Sequence, residues 1–139
     1  MFRKPLLTYK LFAWLFFTTG VFATIGSLFS WGKGWLFTQT NLNNVLLPLS
    51  DLLVTSPLSF ISAYGIWNKK NWGIFAGLLT SGIYIFGSVV VYVSIIWNGS
   101  PYPIQLIVPP IFGLSFAALF FIWVINTHLA NQSSFFNQE

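Results

Sequence analysis

Residues 72–97 read WGIFAGLLTSGIYIFGSVVVYVSIIW. No charge interrupts this run, and a tryptophan stands at each end. A helix rises 1.5 Å per residue, so about twenty apolar residues cross the ~30 Å hydrocarbon core of a bilayer. The stretch is long enough. It is apolar on all sides from Ile83 to Ile96 and lacks the period-two alternation of a barrel strand. Lipid offers no partner to backbone N–H and C=O groups, so a spanning segment of this kind is expected to be helical.

Three further stretches share that character, over about 10–30, 44–67 and 104–127, with a short polar tail at 128–139. The expectation is one all-α transmembrane domain over 1–139, a polytopic antiparallel bundle of four helices. Composition agrees. The 139 residues are 55% hydrophobic and 20% aromatic, and only 6% are charged, against about 25% in soluble domains. Six Lys/Arg and two Asp/Glu cannot build the charged shell that keeps a soluble fold dispersed, so the apolar residues are expected to face a lipid bilayer. The first stretch follows a basic segment, as a signal peptide would. Its apolar run is too long and no A-x-A site follows, so an uncleaved helix is expected.

The hydrophilic gaps carry the orientation. Arg3, Lys4 and Lys10 precede or open the first helix, and Lys69 and Lys70 fill the turn after the second. Lys33 stands alone in the first loop, and the third loop is uncharged. The positive-inside rule then places both termini and the Lys69-Lys70 turn in the cytoplasm, with the plasma membrane as the expected location. Aromatic residues mark the interfaces: Trp31 and Trp35, Trp67 and Trp72, Trp97 and Tyr102. Asn98-Gly99-Ser100 is an N-x-Ser string on the expected outer side, which carries glycan only in a eukaryotic host.

Asp51 is the acidic residue within the spans. A carboxylate in the bilayer costs several kcal/mol and so marks a candidate site. With the second helix entering from outside, Asp51 lies about 10 Å below its outer end. Ser27 and Thr24, Ser88 and Tyr92, and Gln105 fall at matching depths on the other helices, and Thr55 is one turn along the same face. Lys33 is within snorkelling reach. The arrangement suits a proton, cation or polar-ligand site open to the outside. The structural alternative is an Asp held by hydroxyl groups or capping an irregular start near Pro48. Pro57 lies inside the second helix, where it should free the Leu53 carbonyl and kink the chain, with Ser56 and Ser59 placed to satisfy that carbonyl. Pro109 and Pro110 suit the first turn of the fourth helix and allow it to begin late, near Pro109.

The third helix is rich in small residues, including Gly73, Gly77 and Gly82, and Gly113 and Ala117 form a small-xxx-small pair in the fourth. Such faces let helices approach closely in lipid. They predict a central third helix or a homo-oligomer seam.

Several chemistries are excluded. Cysteine is absent, which removes disulfides and thiolate sites. The net charge of +4 falls in scattered gaps rather than on one phosphate-binding face, so no nucleic-acid partner is expected. No metal-ligand spacing, P-loop or dinucleotide motif occurs, and no cofactor is expected. His128 and Asp51 belong to opposite halves of the membrane and cannot form an acid–base pair. The expected function is therefore a non-enzymatic structural, accessory or assembly subunit, packing on itself or on another membrane protein through its third helix. The alternative is a transporter, channel or small-ligand binder using Asp51.

Overall fold

The computed structural model describes residues 6–32, 49–98 and 108–129. Gln105, Lys33, Arg3, Lys4, Pro48, Trp35, Tyr102 and most of the polar tail lie outside them. The described residues form four helices and no strand. Helix α1 is Leu6–Gly32, α2 is Ser56–Trp67, α3 is Asn71–Asn98 and α4 is Val108–Val124. A π-helical turn, Asp51–Thr55, leads directly into α2, and a second, Ile125–Leu129, extends α4. Three helices are long and apolar enough to cross a membrane, over Thr8–Phe29, Asn71–Val93 and Pro110–Thr127. That is compatible with an integral membrane protein.

The distribution of side chains is the reverse of a soluble protein's. Phe22, Phe75, Phe86 and Phe112 stand exposed. Ser27, Thr55, Ser56, Ser59, Ser62, Thr80, Ser81 and Ser88 are buried. In lipid, burying an apolar ring gains little, because the tails are as apolar as the core. Close packing and hydrogen bonds between helices decide instead. Small hydroxyl side chains supply both, since each can return its proton to a carbonyl of its own helix.

Contacts divide the chain into two compact units, Met1–Thr80 and Ser81–Glu139. In the first, α1 packs on α2. The buried face of α1 carries Phe12, Phe16, Gly20 and Ser27, spaced three to four residues or their multiples. Gly20 is the close crossing: a Cβ there would sit 3.1 Å from both the Phe60 ring and the Ser59 Cβ. Ala63 and Ile66 complete the buried face of α2.

Three residues, Asn68 to Lys70, join α2 to α3. Lys70 N–H donates to the Gly65 carbonyl and Lys69 N–H to Ile66, both at 2.9 Å. Those bonds close a Schellman motif, in which the residue after the cap takes left-handed backbone angles. Glycine usually stands there. Here it is Lys69, with φ of 54°. The tight turn presses Gly65 onto Gly73, where a Cβ on either residue would overlap the other's backbone. Gly73 of the GxxxG pair is thus filled from within the chain.

In the second unit Tyr84 and Ser88 of α3 meet α4. The Tyr84 and Phe116 rings lie 6.0 Å apart. A Cβ on Gly113 would find ordinary contact with Ser88 Oγ and Tyr84 Cβ. Ala117, Phe120 and Val124 continue the buried face of α4.

The second stretch departs from a plain kinked helix. Pro57 stands in the first turn of α2, and the irregularity lies upstream of it, as the π turn. Ser56 N–H donates to the Asp51 carbonyl, five residues back. A wider turn accommodates a ring that can neither donate a hydrogen bond nor pass close to the carbonyl four residues earlier. Ser56 does not rescue the Leu53 carbonyl: its buried Oγ has no partner. Ser59 Oγ donates to the Thr55 carbonyl. That bond is the ordinary one from a helical serine hydroxyl to the carbonyl four residues back.

Candidate functional site

Asp51 opens the π turn and is half-buried. The Thr55 side chain lies within hydrogen-bonding reach of its carboxyl. From there a row of buried hydroxyls follows one face of α2: Thr55, Ser59 and Ser62, at spacings of four and three. Ser62 Oγ lies 2.6 Å from the Leu58 carbonyl and 2.9 Å from Thr80 Oγ1 on α3. Thr80 Oγ1 in turn lies 2.7 Å from the Ala76 carbonyl. These three contacts share two hydroxyl protons, one on each residue. One hydroxyl must therefore turn from its carbonyl toward the other or divide its proton between them.

Among the described residues of its own unit that depth places near Asp51, Thr55 is the one brought to it. Ser27 is buried on α1, and α1 packs against the π turn. Thr24 bonds back to the Gly20 carbonyl at 2.8 Å. Ser88 and Tyr92 belong to the second unit. Ser88 Oγ is shared between the carbonyls of Tyr84, 2.7 Å away, and Pro110, 2.9 Å away. The second of these ties α3 to the first turn of α4.

A second site lies on the outer surface of the α1–α2 pair. Ala13 and Ala63 floor an open cleft of about 360 Å³, walled by Trp14, Phe17, Phe60, Tyr64 and Trp67. The walls interlock edge to face: Trp14 meets Trp67 at 6.3 Å and Phe17 meets Phe60 at 5.6 Å. Tyr64 stacks on Trp72 at the same end. Lys10 Nζ sits 5.5 Å above the Trp67 ring, where the face of the indole attracts a cation. Lys69 and Lys70, both exposed, follow Trp67 in the turn.

No known protein family, curated protein or solved structure matches this chain. Function is therefore argued from its own residues. Neither the hydroxyl row nor the cleft was singled out by sequence reasoning. Both leave a signal there. Lys10, Trp14 and Phe17 share the spacing of Phe60, Tyr64 and Trp67, so each set lines one helix face, and Thr55, Ser59 and Ser62 do the same.

Proposed function

We propose that this protein is a non-enzymatic membrane subunit, an antiparallel four-span bundle with both termini in the cytoplasm, that assembles with a second copy or another membrane protein through α3. Contacts between Trp14 and Trp67, Gly20 and Ser59, Gly65 and Gly73, and Tyr84 and Phe116 support opposite directions for successive helices. One observation carries the assembly role. Gly82 is exposed, and a Cβ there would meet nothing within 4 Å; the same space is open at Gly87. Gly73 and Gly113, by contrast, already face other parts of the chain. Gly82, Phe86, Val89 and Val93 are exposed at spacings of four, three and four, which puts them on one stripe with a glycine notch at its end.

The chain has no cysteine, so Gly82→Cys gives a clean probe. Oxidation in native membranes should link the variant to a second copy, or to a distinct protein carrying a nearby cysteine, while Phe75→Cys should link less. Gly82→Leu should reduce the assembled fraction on size exclusion in mild detergent. Unchanged assembly would remove the seam.

A second reading is favoured by the half-buried Asp51 at a π turn, a feature common at functional sites. In it, Asp51 and Thr55 hold a proton, a cation or a polar ligand. Asp51→Asn should then abolish that uptake or binding and its pH response. If it alters only thermal stability, the carboxyl serves the fold alone.

A further inference from the structure

We propose that the cleft between α1 and α2 is a binding site for one anionic phospholipid, with an acyl chain laid along the aromatic side chains that line it and the phosphate held by Lys10 together with Lys69 and Lys70. The site is independent of the α3 seam.

Position comes first. Three lysines belong to the Trp67 end of the cleft, one by contact and two by their place in the chain. Lys10 is seated over the Trp67 ring, and Lys69 and Lys70 follow that residue in a turn fixed by two backbone bonds. Asp51, the acidic residue among the described helices of this unit, starts the π turn sixteen residues before Trp67, about 24 Å along the helix. It cannot neutralise them. A ligand that brings its own negative charge would complement these cations.

The shape fits the same ligand. The cleft is open along its side, and its lining is almost wholly apolar, from Ala13 and Ala63 to the Phe17 and Phe60 rings. A soluble anion would gain from the lysines and nothing from these walls. A zwitterionic lipid would gain from the walls, but its own choline or amine would oppose the lysines. An anionic phospholipid gains from both, and basic pockets between helices near the headgroup level are the usual seats for such lipids. On the proposed topology Trp67 and Tyr64 fall at the boundary between chain and headgroup, where indole and phenol groups prefer to be.

The turn supplies a second, independent sign. Lys69 holds left-handed backbone angles that glycine would adopt without strain. Strained backbone persists where the residue has a use. Carrying a positive charge in the turn two residues after Trp67 is the use the proposal assigns to it.

The test is native mass spectrometry of the full chain in dodecyl maltoside, titrated with dioleoyl phosphatidylglycerol or dioleoyl phosphatidylcholine. One phosphatidylglycerol should bind saturably, at least about tenfold more tightly than phosphatidylcholine. Removing each ammonium, by Lys10→Gln or Lys69→Gln, should weaken binding about fivefold. Ala63→Phe fills the cleft and leaves the lysines in place; it should abolish the saturable site. Since Ala63 is buried, helical content by circular dichroism accompanies that variant, and Tyr64→Ala, at an exposed wall, should weaken binding without threatening the fold. Equal binding of the two lipids would overturn the proposal. So would competition by dihexanoyl phosphatidylglycerol or inorganic phosphate at the concentration of the long-chain lipid, or full binding by folded Ala63→Phe together with Tyr64→Ala. Either of these last results would reduce the site to surface charge.

Discussion

At Lys69 a single backbone angle sets stability against placement of charge. A side chain in the left-handed region brings its Cβ against the following carbonyl, at a cost of about 1–2 kcal/mol that glycine avoids. The cost is tolerated because the turn is otherwise well satisfied, with the Gly65 and Ile66 carbonyls capped by Lys70 and Lys69 N–H. Asn68 adds a third bond, donating its side-chain amide to the Tyr64 carbonyl at 2.9 Å. Lys69→Gly should therefore stabilise the protein by about 1 kcal/mol, read as a later midpoint in a detergent-denaturation series. The same variant should bind phosphatidylglycerol less well. A destabilised Lys69→Gly would mean that the lysine side chain itself contributes more to the fold than its backbone costs.

At the scale of elements, the α2–α3 pair joins through backbone contact at Gly65 and Gly73 and through the Ser62–Thr80 hydroxyl pair. Polar contacts between membrane helices average well under 2 kcal/mol, because in the unfolded reference state each hydroxyl still finds a carbonyl of its own helix. Ser62 and Thr80 retain that option here, through Leu58 and Ala76. A double-mutant cycle with Ser62→Ala and Thr80→Val should thus return a coupling of about 0.5–1 kcal/mol. Zero coupling would show two hydroxyls each content with its own helix. The existence of these helices was legible in their uncharged apolar runs, and the turn in Asn68-Lys69-Lys70. The form of the second helix was not. Pro57 announces an irregularity, but whether the chain answers with a kink or with a π turn depends on which carbonyl each N–H selects. That selection rests on packing against α1. The cleft was half-legible: Lys10, Trp14 and Phe17 and the aromatic triplet Phe60, Tyr64 and Trp67 show their spacing, while the pairing of Trp14 with Trp67 needs the crossing at Gly20. Ser88 illustrates the limit. Its hydroxyl is engaged by the Pro110 carbonyl, a contact set by how α3 and α4 meet rather than by either sequence alone.

For the molecule as a whole, the open question is how its ends are distributed across the bilayer. Helical residues run from Leu49 through the π turn to Trp67, a path of about 28 Å at 1.5 Å per residue. That length suits a full crossing, so the Lys69-Lys70 turn should lie on the side opposite the first loop. On the proposed topology Arg3, Lys4, Lys10, Lys69 and Lys70 share one side against Lys33 on the other, and the positive-inside rule predicts that the basic side is the cytoplasm. In the cysteine-free chain, Asn43→Cys and Asn68→Cys place one thiol on each side. A membrane-impermeant maleimide applied to intact cells should label residue 43 and should reach residue 68 only after permeabilisation. The reversed pattern would mean an inverted protein. Labelling of both from outside would mean that the path through Asp51 does not cross, and the π turn would then dip into the membrane and return. Neutralising Lys69 and Lys70 with glutamine should leave the pattern unchanged, since Arg3, Lys4 and Lys10 still outweigh Lys33. Orientation and lipid binding would thereby separate: the lysine pair at the turn is dispensable for the first and required for the second.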